Sequence, residues 1–155
     1  MVLAANYYSP TQTTNRVDRK TFLRSAKQIK KKSRVPLRFP YYFPYENNTK
    51  FYVYIHAIDT NGYKLDLGFD SECEGQNICR YGSVSGKYLP AKKRLKGKRI
   101  RLSRNIYGYF EDAICNSYCN DSTVTWREGS YLFSVGIKAG GLKETAAAAR
   151  SAIKR

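Results

Sequence analysis

Four cysteines carry most of the chemistry that this sequence could perform. Cys73 and Cys79 are spaced C-x5-C, and Cys115 and Cys119 are spaced C-x3-C. Neither is the C-x2-C of common zinc sites, although four thiolates can always be drawn as a tetrahedron. Both pairs are flanked by Gly, Asn and Asp, as loops are. An oxidising compartment favours two local disulfides, a reducing one free thiols, and a structural metal ranks third. A nucleophilic thiolate needs a base, and His56 is the one histidine in the chain, so catalysis is not expected. Gly82-Ser83-Val84-Ser85-Gly86 resembles a hydrolase elbow, but Val84 holds the nucleophile position, which leaves a glycine-punctuated strand. Asp70, Glu72 and Glu74 surround Cys73 without the order of a calcium loop and read as a solvated loop. His56, on one strand face with Tyr52 and Tyr54, reads as an ordinary surface or partly buried residue. The expectation is a protein that is not an enzyme, has no cofactor and uses no metal or small-molecule substrate.

Charge says more about partners. Among 155 residues there are 28 Lys and Arg against 12 Asp and Glu, a net charge of +16. One block contains Arg16, Arg19, Lys20, Arg24, Lys27, Lys30, Lys31, Lys32, Arg34 and Arg38 against Asp18 alone. A second contains Lys92, Lys93, Arg94, Lys96, Lys98, Arg99, Arg101 and Arg104 with no acid. The rest of the chain is close to neutral. Single-sign blocks repel themselves unless something acidic meets them, so both are assigned to docking on a polyanion. Residues 16 to 34 and 92 to 99 of these blocks, with Tyr7 and Tyr8, form the candidate partner-binding set. Tyr41, Tyr42 and Phe43 are further aromatic anchors, since aromatics and Arg dominate interface energetics.

The elements that hold these residues follow from periodicity. Residues 1 to 16 read as an extended arm. Over 17 to 32, Phe22, Ala26 and Ile29 share one helical face and the remainder is basic, with Asn15 as N-cap. That apolar stripe is thin, so the helix needs a partner surface. Pro36, Pro40 and Pro44 impose an extended path, and the division between basic arm (1–38) and globular domain (39–155) falls there. Period-two alternation predicts strands over 51–58 and 63–69. Parity favours a three-residue turn with Gly62 left-handed, pairing Ala57 with Leu65 and Ile55 with Leu67. Shorter strands are predicted over 80–86, 98–103 and 106–110, and a hairpin over 122–127 and 130–137. A turn at Glu128-Gly129 would pair Trp126 with Tyr131 and Val124 with Phe133. Leu142, Ala146, Ala149 and Ile153 mark a C-terminal helix packed on the sheet. The fold class is α+β: an antiparallel sheet with a C-terminal helix, preceded by a basic arm containing a short helix.

Two stretches carry a resemblance. They are Asp70-Ser-Glu-Cys73-Glu-Gly75-Gln-Asn77-Ile-Cys79-Arg-Tyr-Gly82-Ser-Val-Ser-Gly86, and Gly108-Tyr-Phe110-Glu-Asp112-Ala-Ile-Cys115-Asn-Ser-Tyr-Cys119 running on to Trp126, Gly129, Tyr131 and Gly140. Together they resemble a family of uncharacterised cyanobacterial proteins with a C-x5-C loop, a C-x3-C loop, a Trp-containing β-hairpin and a C-terminal helix. The resemblance spans roughly residues 29 to 154. It implies a cyanobacterial source and a small β-rich domain, with no established activity to carry over. Many such proteins carry a secretion signal, whereas the start of this chain lacks the charged and apolar regions of one. The expected location is therefore cytoplasmic and thylakoid-associated, or extracytoplasmic if a signal was removed ahead of residue 1. The resulting reading is a linker-type structural protein. It docks through its basic arm onto a large acidic assembly such as a phycobilisome or photosystem, by analogy of charge and source. Two rivals remain: an extracytoplasmic domain whose sheet and helix hold a lipid or small ligand, and a nucleic-acid-binding protein. An anionic membrane surface is a further candidate partner.

Overall fold

The computed structural model describes residue 17, residues 19–44, 50–74, 76 and 78–153. The elements in chain order are α1 (Arg19–Lys32), β1 (Tyr52–Asp59), β2 (Gly62–Gly68), β3 (Arg80–Tyr88), β4 (Lys98–Ser103), β5 (Ile106–Glu111), β6 (Asp121–Glu128), β7 (Tyr131–Lys138) and α2 (Leu142–Ile153). The strands form one seven-stranded sheet in the order β1-β2-β3-β7-β6-β5-β4, and every pairing is antiparallel. This is the expected α+β architecture, with a helix at each end of the chain. No helix among the described residues is long and apolar enough to cross a membrane.

Alternation along the strands puts the apolar residues on one face. The row Ile55-Leu65-Val84-Val135-Val124-Phe110 runs across six strands in direct register. Leu65, Val84, Val124 and Val135 are fully buried in that row, and Trp126 and Phe133 lie beside it. Two helices and an extended strap, residues 33–44, cover this face. α2 brings Ala148 and Ala149, fully buried, down onto β4, β6 and β7. Small side chains let the helix approach closely. Thr145 accepts or donates a 2.6 Å hydrogen bond with Ser122 of β6, and both are buried.

α1 packs along β1, at the other end of the sheet. Phe22 and Ile29 are buried, as predicted for its narrow apolar stripe. The partner surface that stripe needs is the protein's own. Phe22 stacks on Phe39 of the strap at 4.7 Å, and Phe39 meets the edge of Tyr63 at 6.1 Å. The strap is fastened in turn. Tyr63 donates its hydroxyl to Pro36 O and accepts from Arg38 N, and Arg38 forms a bidentate pair with Glu128. Val17, Phe22, Ile29, Val35 and Phe43 belong to the same apolar core as the strands. The division expected after residue 38 is therefore not where the packing divides. From residue 19 onward the basic segment is part of the globular body.

Two registers differ from expectation. β1 and β2 join through a two-residue turn, Thr60-Asn61, with Asp59 opposite Gly62, and Gly62 does not have a positive φ. Asp59 accepts the Asn61 N–H within that turn. Parity is rescued by a β-bulge at His56, where the register shifts between Ile55 and Ala57. The bulge pairs Ile55 with Leu65 and Val53 with Leu67, so the apolar rows do share a face, two residues away from the predicted pairing. In the β6–β7 hairpin the turn is Gly129-Ser130, with Gly129 left-handed at φ 59°. Trp126 faces Phe133 and Val124 faces Val135, because the left-handed glycine takes the first position of the two-residue turn, as in type II′ hairpins, and not the second.

Candidate functional site

The two basic blocks lie at opposite margins of the sheet. α1 runs beside edge strand β1, and its Arg24, Lys27, Lys30, Lys31 and Lys32 are exposed. None of these five is in a salt bridge among the described residues. The second block enters β4, the other edge, where Lys98 and Arg99 are exposed. Lys92, Lys93, Arg94 and Lys96 lie exposed on the connection from β3 to β4. The start of that connection is pinned by Arg127, which donates to Leu89 O at 2.6 Å and Ala91 O at 3.2 Å. Six strand spacings separate the edges, about 29 Å. The blocks are therefore two surfaces and not one patch.

Several members of the predicted set have other partners. Arg34 donates to Asn61 Oδ1 at 2.8 Å, and its guanidinium lies 3.9 Å from the Tyr88 ring. It holds the end of α1 to the β1–β2 turn. Arg99 covers the Tyr107 ring at 3.9 Å. Phe43 is fully buried against Tyr81 and is a core residue, not an anchor for a partner. It sits in the strap, where the prolines hold it inward. Tyr42 donates its backbone N–H to Ser151 of α2, and Tyr41 O accepts from Val17 N. Lys20 is exposed at the start of α1. Tyr7, Tyr8, Arg16, the expected N-cap Asn15 and the side chain of Arg19 lie outside the described residues.

The cysteines form two local disulfides, Cys73–Cys79 and Cys115–Cys119. No group of His, Cys, Asp and Glu able to hold a metal occurs among the described residues. Strict antiparallel alternation places the β2–β3 and β5–β6 connections at the same end of the sheet. Both disulfide loops therefore belong to one rim, about three strand spacings or 14 Å apart. Asp70, Glu72 and Glu74 are exposed on the first loop, and Glu111 and Asp112 are exposed where the second begins. Tyr54 reaches from β1 to hydrogen-bond Asp70 O and the Cys73 N–H, which ties the first loop to the edge strand.

Between the loops, on the face opposite the helices, is a charged network that sequence reading passed over. Arg80, the residue after Cys79, makes a bidentate pair with Asp121 at 2.7 and 2.5 Å. Its Nε donates to Asp66 Oδ1 at 3.3 Å. Asp66 also contacts His56 Nδ1 at 2.9 Å, and Ser83 donates to Asp121 Oδ2 at 2.9 Å. The side chains of Asp66 and Asp121 are buried. Burial lowers the Arg80 pKa, but the hydrogen bonds and charges of Asp121 and then Asp66 outweigh it, so the net shift is upward. One guanidinium thus bridges two buried carboxylates. Its geometry is that of a clamp, joining the exits of both disulfide loops. Gly136 makes room for it, since a Cβ there would stand 2.7 Å from Asp121 Oδ2. Alternation does mark Asp66 and Ser83 as polar-face residues. That they meet Asp121 depends on strand order β3-β7-β6, which no local pattern announces.

No protein family, curated protein or solved structure matches the chain.

Proposed function

We propose that the protein is a non-catalytic docking subunit that meets an acidic assembly through the outward face of α1, with the β4 margin as a second point of attachment. The observation that carries this reading is the set of five exposed cations on α1 that make no salt bridge among the described residues, on a helix whose other face is committed to the core. Five like charges on about 21 Å of helix repel one another, and an acidic surface relieves that repulsion. The phycobilisome and the photosystems are the first assemblies to test, because of the resemblance to cyanobacterial proteins. A site outside the cytoplasm is a second reading, favoured by the two disulfides.

The rivals have less support. A lipid or small ligand between sheet and α2 would have to displace Trp126, Phe133, Val124, Val135, Ala148 and Ala149, each at most 1% exposed. The central strands turn Ser83, Ser85, Thr123, Thr125 and Ser134 to the open face, so its middle has no aromatic side chain for stacked bases, and the tyrosines of that face, Tyr107 and Tyr109 on β5 and Tyr54 on β1, stand toward its margins. The test is a native pull-down from the source cells at low salt, comparing wild type with Arg24→Glu/Lys27→Glu/Lys31→Glu. Subunits of an acidic assembly should co-purify with wild type and be lost with the triple variant. Recovery of wild type without any partner would sink the proposal.

A further inference from the structure

Among the described residues the large hydrophobic side chains left exposed are few, and they cluster. Ile78 is 89% exposed, Tyr118 68% and Ile114 66%, with Phe69 at 37%. All four lie on the disulfide rim. Ile78 projects within the Cys73–Cys79 loop, and Ile114 and Tyr118 flank or lie within the Cys115–Cys119 loop. The rim is also where exposed acids gather, at Asp70, Glu72, Glu74, Glu111 and Asp112, in a chain of net charge +16. Two disulfides and the Arg80–Asp121 clamp hold these apolar tips in place before any partner arrives, which lowers the ordering cost of binding.

A surface of matching chemistry exists on the same chain. Outside the rim, among the described residues, the exposed large hydrophobics are Leu23, at 53%, and Tyr107, whose ring is covered by Arg99. Leu23 shares a helical face with Lys27 and Lys30, at i, i+4 and i+7. Apolar tips framed by acids thus have their complement in an apolar side chain framed by lysines. We infer that the disulfide rim of one copy docks on the outward face of α1 in a second copy. An anionic bilayer is the poorer occupant, because it would face the five rim carboxylates. Two +16 bodies repel at long range, but at physiological ionic strength charges beyond about 8 Å are screened and local complementarity decides. Rim and helix are different patches, so the contact is heterologous and extends into a chain or closes as a ring. The inference rests on the proposal above in one respect, that α1 presents a docking face.

Sedimentation velocity of the purified chain at physiological salt tests it. The weight-average mass should rise with concentration, and both desalting and high salt should reduce it. A rim variant, Ile78→Ser/Tyr118→Ser, and a helix variant, Leu23→Ser/Lys27→Glu, should each weaken association at least about tenfold. All four side chains are exposed, so the variants should keep the wild-type circular dichroism and melting profile. An equimolar mixture of the two variants retains one good rim and one good helix. It should form dimers and stop there. A wild type that stays monomeric at every concentration overturns the inference, as does a mixture no more associated than its components. The rim variant keeps the cations of α1. It should therefore still capture the acidic assembly, so that loss of self-association and loss of the assembly are separate results.

Discussion

Glu128→Ala tests whether the strap and α1 are folded as one with the sheet. Glu128 Oε1 accepts from Trp126 Nε1 at 3.0 Å, and Trp126 is fully buried. The same carboxylate takes Arg38 Nη2 at 2.9 Å and Nε at 3.1 Å, and the side chains of Arg38 and Glu128 are 12% and 23% exposed. Truncation leaves a buried indole N–H without its acceptor, at a cost of about 1–3 kcal/mol. It also leaves a mostly buried guanidinium without its counter-charge, although Arg38 Nη1 still donates to Leu37 O. Together the loss should be about 3 kcal/mol, near the low end for breaking a buried pair. For a chain of this size that lowers the melting temperature by about 6–12 °C. Glu128→Gln keeps an acceptor of the same shape and should cost only about 1 kcal/mol. Urea titration of the three proteins measures the difference, and a cycle with Arg38→Ala isolates the pair. Limited proteolysis at Arg34 and Arg38 should accelerate in the alanine variant if the strap detaches first. A loss below about 1 kcal/mol for Glu128→Ala, or equal losses for Ala and Gln, would refute the reasoning.

Three further outcomes follow from the same packing. Tyr63→Phe removes the hydroxyl shared by Pro36 O and Arg38 N and should cost about 1–3 kcal/mol at neutral pH. Burial pushes the Tyr63 hydroxyl far above the ordinary tyrosine range, with hydrogen bonding and charge from Arg38 opposing it. The fold therefore holds the phenol neutral. That contribution is complete below about pH 10, where an unfolded tyrosine ionises, and declines above it, so the stability gap between wild type and Tyr63→Phe should narrow in alkaline urea titrations. Gly86→Ala would place a Cβ 2.8 Å from the Tyr63 ring and should lose about 1–3 kcal/mol by calorimetry, whereas Gly86→Ala in a Tyr63→Ala background should lose less. Replacing Cys73 and Cys79 by Ser should cost more than the same change at Cys115 and Cys119. Both loops are short, worth about 2 kcal/mol each in closure entropy, but Cys73 is 2% exposed and Cys115 lies at the surface.

What could be read from the residues was whatever depends on neighbours in sequence. Alternation located β1 and β2, local composition and turn residues located the other five strands, and the 3.6-residue period located both helices. Parity required Ile55 and Leu65 to share a face with Leu67, and they do. Parity leaves open, however, whether the odd residue is taken up in the turn or along the strand. The bulge at His56 takes it up along the strand, and nothing about His56 in isolation marks that choice. The weak stripe of α1 was legible as a helix in need of a surface. Its burial on the strap through Phe22 and Phe39 was not, because prolines announce an extended path without saying where the path lies. The clamp is the extreme case. Arg80, Asp66 and Asp121 come from three strands, two of them far apart in the chain, and alternation alone makes each an ordinary polar-face residue.

The two basic blocks do not carry equal weight as docking surfaces. An edge strand exposes unpaired backbone groups, and natural sheets guard such edges with lysine, arginine and irregular geometry. β4 is an edge whose Lys98, Arg99 and Arg101 serve that purpose, and Arg150 of α2 caps the Arg101 carbonyl at 2.9 Å. The charge of β4 therefore has a structural reason that needs no partner. β1, the opposite edge, is guarded by other means: the bulge at His56 and the tether from Tyr54 to the Cys73 loop. The cations of α1 are not required for that edge, and among the described residues none of Arg24, Lys27, Lys30, Lys31 and Lys32 takes part in a salt bridge. Neutralising them should leave the fold intact, and removing their mutual repulsion should if anything raise its stability slightly. If α1 docks as proposed, its charge reversal should abolish binding, whereas reversal of the β4 block should chiefly promote edge-to-edge aggregation.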